Sequence, residues 1–228
     1  MTKSNGIGEL AESSLHHALK LHYQREDDEV EQKLEGYVID VQREHELVEI
    51  QTSSFSSIKK KYRKLLKTNK IRMVYPIAEK KWLIKQHRDG SIERRKSPKK
   101  GKIYDVFREL VSIPHFLINP DFILDIVMIH EEEHRVNDGK GSWRRKGWSI
   151  IDHKLVKIVR TVSLKDRTDF DQLLPQSLPE QFTTADISKT AKIPKYMSQK
   201  MAYTLKKMEV IHQVGKKGRY HLYERSLN

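Results

Sequence analysis

Apolar residues first recur at helical spacing near the N-terminus. Ala11, Leu15, Ala18, Leu19 and His22 share one face and predict a helix over residues 8–23. An acidic stretch from Glu26 to Glu35 interrupts the pattern. Two short runs rich in β-branched residues follow, GYVIDV (36–41) and LVEIQT (47–52), and the polar turn between them predicts a hairpin. Ser53 and Ser54 are candidate N-caps for a second helix, whose apolar stripe is Phe55, Ile58, Tyr62, Leu65 and Leu66. Ile71, Met73, Tyr75 and Ile77 then alternate as a strand, and Trp82 to Gln86 reads as another, turned by RDGS (88–91) into Ile92. Residues 93–102 hold Pro98 and Gly101 and read as a basic loop. A short helix is expected over 103–110 and two longer strands over 122–136 and 148–162. Near the C-terminus, Thr183 and Thr184 cap a short helix, Pro194 opens a second one, and Met197, Met201, Leu205 and Met208 space out its buried face. A hairpin over 210–224 turns on GKKGR.

Helix, strand, strand, helix, strand is the order of an α/β core: a mixed sheet flanked by helices. The expected divisions are a core over 1–102, a β-rich continuation or insert over 103–167, a Pro-containing linker over 168–180, and a small C-terminal unit over 181–228.

Charge adds a partner class. The chain carries a net +13, and Ser57 to Lys102 alone holds 18 Lys and Arg against 3 Asp and Glu. The imbalance of the whole chain sits in that segment. It favours an anionic partner such as a phosphate backbone. Lys59, Lys60, Lys61, Arg63 and Lys64, which cover the polar faces of the second helix, are the expected contacts. With no cysteine, disulfides, thiolate–metal sites and a cysteine nucleophile are excluded. No secretory signal and no apolar run long enough to span a bilayer is visible, so a cytoplasmic protein without a membrane partner is expected.

The chemistry concentrates in the first hairpin. Asp40 sits in its first strand; Glu49 and Gln51 sit two apart in the second and so point to one face. Paired strands bring Asp40 to Glu49, and converging carboxylates suit a hard divalent cation, with the Ile50 carbonyl as a further oxygen. Gln51 would orient a water or bind a phosphate oxygen.

GELAE at 8–12, GYVIDV at 36–41 and VEIQT at 48–52, with the spacing Asp-x8-Glu-x-Gln, resemble the PD-(D/E)XK nuclease superfamily. Within it, the chain is most similar to archaeal-type Holliday junction resolvases and related restriction endonucleases. The resemblance covers about residues 6 to 77. It implies a restriction-endonuclease-like fold and an active set of Glu12, Asp40, Glu49 and Gln51. It also implies Mg²⁺ or Mn²⁺ held through Asp40, Glu49 and Ile50, hydrolysis of duplex or branched DNA, and action as a homodimer. The chain departs from the family at Gln51, where Lys is usual, so Lys59 or Lys60 is expected to supply the missing charge. The alternative is a DNA-binding protein on an inactive nuclease fold.

His130-Glu-Glu-Glu-His134 formally matches the zinc-protease motif HExxH, with His153 as a loose third ligand. Its Ile- and Val-rich surroundings predict a strand, on which the two His lie roughly 13 Å apart and do not chelate one ion. Residues 182–224 resemble a winged helix-turn-helix. That resemblance implies that Lys195, Tyr196, Ser198, Gln199 and Lys200 face DNA, and that Lys216, Lys217 and Arg219 touch phosphates.

Overall fold

The computed structural model describes residues 13–226. The protein is α/β. A helix α1 (Ser14–Tyr23) is capped by the Ser13 side chain, which accepts the His16 amide, and three strands follow: β1 (Glu29–Leu34), β2 (Tyr37–Gln42) and β3 (Glu46–Ile50). Next come α2 (Lys59–Leu65), a long β4 (Lys70–Gln86), β5 (Ile92–Lys96) and, after a 3-10 turn, α3 (Phe107–Leu110). A hairpin of β6 (Phe122–Val136) and β7 (Ser149–Leu164) completes a mixed seven-stranded sheet. Its order is β1-β2-β3-β4-β6-β7, with β5 also on β4. Strands β3, β4 and β6 run parallel; the remaining pairings are antiparallel.

The acidic stretch read as irregular forms β1, an exposed edge strand whose charges discourage pairing with another chain. The basic residues 93–102, read as a loop, begin with β5. Pro76 does not break β4. Val74 O on the same backbone side accepts the amide of Gln51, the residue after β3, so the N–H that Pro76 lacks would face the β3 side, where pairing has already ended. Ser53 and Ser54 do not cap α2, which starts from Ile58 without a side-chain cap; they form the turn before it. At the far edge, β7 carries three irregularities opposite β6 that leave Ile151, Val156 and Val159 without partners and exposed. Bulges of this kind twist an edge away from further pairing.

Two apolar layers cover the sheet. On one face Leu15 and Leu19 of α1 pack on Val41, Val48, Ile50, Val74, Val127 and Ile129. On the other, Tyr62, Leu65, Phe107 and Leu110 join Ile39, Leu47, Ile71, Met73 and Phe122, and this core runs on into the C-terminal residues Phe182, Met197, Met201 and Leu205. The expected linker holds a short helix α4 (Arg167–Asp171). After it come β8 (Phe182–Thr183), α5 (Thr184–Thr190), α6 (Lys195–Lys207), β9 (Ile211–Lys217) and β10 (Tyr220–Arg225). The last three strands make a small sheet in the order β8-β10-β9. Among the described residues no helix is long and apolar enough to cross a membrane.

Candidate functional site

The β2–β3 ladder pairs Val41 with Val48 and Gln42 with Leu47, a register that would set Asp40 against Glu49. The same logic on the other side of β2 would set Glu31 against Asp40. The ladder is interrupted at both places. Instead, the Asp40 carboxylate accepts the Ile50 amide at 2.7 Å, and Glu31 takes a left-handed backbone conformation with φ at 54°. An acidic row, Glu31, Asp40 and Glu49, therefore crosses three strands where their backbone pairing fails.

Basic side chains meet this row from both faces. From α1, His16 Nε2 lies 3.4 Å from Asp40 Oδ2, and Lys20 Nζ lies 2.5 Å from Glu31. From α2, Lys61 Nζ lies 2.6 Å from each Glu49 carboxylate oxygen and also donates to Val38 O at 2.6 Å. Glu49 is 7% exposed, and its Oε1 receives no aligned hydrogen bond. Burial pushes the Glu49 carboxyl up to about 7; Lys61 opposes the shift and the Asp40 charge adds to it. Beneath lies Tyr62, fully buried, whose hydroxyl has no hydrogen-bond partner. Burial holds that hydroxyl in its neutral form, and the charges of Glu49 and Asp40 reinforce this.

Asp40 opens onto a cleft of about 990 Å³. The cleft exists because β4 pairs with β3 only as far as Val74 and with β5 only from Trp82, which leaves its edge unpaired between them. Gly101 closes part of the gap: its amide donates to Ala78 O at 2.8 Å, and a Cβ there would sit 2.5 Å from that oxygen. Lys81, Lys99 and Arg108 line the cleft with Asp40.

HEEEH lies on β6, as its β-branched surroundings predict. Strand alternation sends His130 and His134 to one face and Glu131 and Glu133 to the other. There Glu131, Glu133 and His153 bring ligand atoms within 4.8 Å of one another. Lys81 Nζ already holds both carboxylates, at 2.7 and 2.9 Å. Burial works to raise both acids, but hydrogen bonds and charge from Lys81, with His153 on Glu131 and Arg135 on Glu133, hold them below the usual carboxylate range. Lys81 ties these acids into an ion-pair network, and His130 and His134 of the motif lie on the opposite face from it.

Of the expected active set, Glu12 lies outside the described residues. Asp40 and Glu49 do come together. Gln51 turns away: its amide donates to Ser53 Oγ at 2.8 Å and Ser54 O at 3.1 Å. The lysine that reaches the carboxylates is Lys61, rather than Lys59 or Lys60. Only Lys60, Arg63 and Lys64 on α2 are exposed, and Lys64 pairs with Glu35. On α6, Ser198 faces inward, not toward a partner: it is fully buried and donates to Lys195 O. Lys195, Tyr196 and Gln199 are exposed, while Lys200 Nζ donates to Arg108 O at 3.1 Å. Tyr220, absent from the expected set, gathers the basic residues of the β9–β10 hairpin and of α6: Lys195 Nζ and the Arg219 guanidinium lie 5.1 and 5.3 Å from its ring centroid. Lys216 and Lys217 are exposed on β9 beside it.

A family described as a domain of unknown function, DUF8091, matches residues 13–165, two thirds of the chain. The chain belongs to the DUF8091 family. The matched span contains the whole large sheet, the Asp40–Glu49–Lys61 cluster and the cleft, and it ends one residue beyond β7. A relative in Treponema pallidum (strain Nichols), described as an uncharacterized protein, is 32% identical over 186 residues, covering 81% of this chain and 74% of its own. No solved structure matches the chain.

Proposed function

We propose that this DUF8091 protein is a divalent-metal-dependent DNA endonuclease of PD-(D/E)XK type, with residues 181–228 acting as a winged helix-turn-helix that holds the DNA. The observation that carries the reading is the convergence of Asp40, Glu49 and Lys61 where β2 and β3 part, with Asp40 facing the cleft. A strand acid, a second strand acid and a lysine are the groups the resemblance requires. Here the lysine comes from α2 instead of position 51.

The residues fit a hard cation. Glu49 keeps one buried carboxylate oxygen without an aligned hydrogen bond, and its strained charge would be relieved by a positive ligand. Asp40, Glu49 and the Ile50 carbonyl would hold Mg²⁺ or Mn²⁺. When bound, such an ion supplies Lewis-acid stabilisation of charge on the scissile phosphate. Lys61 adds a fixed positive charge beside the carboxylates, the same kind of electrostatic preorganisation. With its carboxyl pushed up to about 7, Glu49 is only partly ionised at neutral pH and must be ionised to act as a ligand. Arg108 joins the two parts: it lines the cleft with Asp40, and its guanidinium lies 5.9 Å from the Tyr196 ring of α6. A duplex held on α6 and the β9–β10 wing therefore continues to the cleft.

The test is cleavage of plasmid and branched DNA with Mg²⁺ or Mn²⁺ by wild type, Asp40→Asn, Glu49→Gln and Lys61→Ala. Cutting by wild type and a loss of roughly 10²-fold or more in each variant are expected. One observation favours a second reading, DNA binding on an inactive nuclease fold: Lys61 already balances Glu49 without a metal. Tight binding with no cutting in either metal would establish that reading.

A further inference from the structure

The β6–β7 hairpin ends in a tip, residues 137–148, that the cleft does not use. Trp143 there is 83% exposed, the most exposed large apolar side chain among the described residues. The other two tryptophans are covered: Arg94 lies 4.8 Å over Trp82, and Trp148 packs against His87 and Lys85. Three cations, Arg144, Arg145 and Lys146, follow Trp143, and the Arg144 guanidinium lies 5.5 Å from its ring centroid.

The tip is built, not slack. Asp138 accepts the Lys140 amide at 2.9 Å and the Ser149 hydroxyl at 2.8 Å, and Gly141 N donates to Gly147 O at 3.1 Å. Gly141 must be glycine, because a Cβ would fall 1.9 Å from Trp148 O. Lys146 takes a left-handed conformation, φ 51°, to close the turn. A chain free to collapse would bury its tryptophan; this one holds the ring in water among cations, which fits a partner that is both anionic and flat.

The open sheet face on the side away from α1 runs from the tip back toward the cleft. Lys80, Arg94, Lys96, Lys154 and Lys157 lie along it, set by their pairing with Trp82, Ile84, His130 and Glu132. From the level of Ala78 to the end of β6 is roughly 25 Å. A nucleic-acid rod can lie on these cations and reach the tip at once, whereas a bilayer would meet only the tip.

We propose that Trp143 stacks on an unpaired or unstacked base, so that the substrate of the cleft is nucleic acid with a fork, flap or junction rather than continuous duplex. This rests on the nucleic-acid reading above and narrows it.

The test compares binding of a blunt duplex, the same duplex opened into a fork at one end, and phosphatidylserine-containing vesicles, by wild type, Trp143→Ala and Trp143→Phe. Wild type is expected to prefer the fork by about five- to hundredfold, with tryptophan emission quenched on binding. Trp143→Ala should lose that preference and keep its duplex affinity, and Trp143→Phe should retain part of it. Equal fork preference in wild type and Trp143→Ala overturns the stacking role while the nucleic-acid reading stands. Failure of wild type to bind either DNA overturns both, as does Trp143-dependent binding to the vesicles alone.

Discussion

Glu49 should make the protein less stable as pH rises from 4.5 to about 7, and Glu49→Gln should remove that loss. Its carboxyl is raised from an ordinary 4.5 to about 7, chiefly by burial. A carboxyl raised on folding favours the folded state fully below its unfolded value of 4.5, and the contribution is lost as pH climbs to about 7. At 1.36 kcal/mol for each tenfold change in proton affinity, the difference between 4.5 and 7 corresponds to about 3 kcal/mol. Gln imitates the neutral acid and carries no such dependence. Thermal unfolding of both proteins across that range should show Glu49→Gln gaining on wild type, to a plateau above pH 7. In a protein of this size the gain is roughly 6–12 °C in Tm. The Lys61 ammonium, left without its counterion, will subtract from the plateau but not from the position of the transition. Mg²⁺ or Mn²⁺ should stabilise wild type above neutrality and leave Glu49→Gln nearly unmoved, since a ligand stabilises only the state it binds. A Tm difference that stays flat across this pH range would refute the reasoning, because the buried charge would then carry no strain.

Other perturbations are simpler. Tyr62→Phe deletes a buried hydroxyl with no partner and should stabilise by about 1 kcal/mol, read by denaturant midpoint. Asp125→Asn leaves Arg72 short of a buried counterion and weakens the hydrogen bonds from Tyr23 and Ser163; a loss of roughly 3 kcal/mol is expected by the same measurement. Lys195→Ala and Arg219→Ala should each weaken DNA binding across sequences and lower the salt slope by about 1, whereas Ser198→Ala should leave the salt slope unchanged, its hydroxyl being inside.

The elements with strong period were legible. β6 spans 122–136 as its Ile and Val pattern required, and the hairpin of β2 and β3 follows from two β-branched runs. What escaped were strands whose residues are not apolar. β1 reads EVEQKL and β5 reads IERRK; both are edge pieces, held by ladder hydrogen bonds that need no apolar face. The site was half legible. Asp40 and Glu49 stand out because acids inside Val and Ile runs are costly without partners. Lys61 did not, because five cations between residues 59 and 64 look alike in sequence. Only the helix phase, set by Ile58, Tyr62 and Leu65 facing the core, turns Lys61 toward the sheet. Ser198 follows the same logic: its polarity and its place beside Met197 suggest an outward side chain, while the helix phase turns it inward.

That phase argument also bears on how the two halves work together. α6 could present its basic residues to a partner from many orientations if it were tethered only by a chain. Instead, α3 and α6 share one core through Phe107, Leu110, Met197 and Met201, Lys102 Nζ donates to Lys192 O at 2.6 Å, and Arg225 binds Asp171 at 2.5 Å. The exposed face of α6 is therefore fixed relative to Asp40. A nuclease that gripped DNA on a loose domain would cut over a range of distances, whereas one gripping it here would cut at a fixed offset. Loosening the contact by Lys102→Ala, which removes only the hydrogen bond to Lys192 O, should broaden the distribution of cut positions on an end-labelled substrate while the total cut per unit time changes little. An unchanged, single cut position in that variant would mean that the DNA is positioned within the cleft alone.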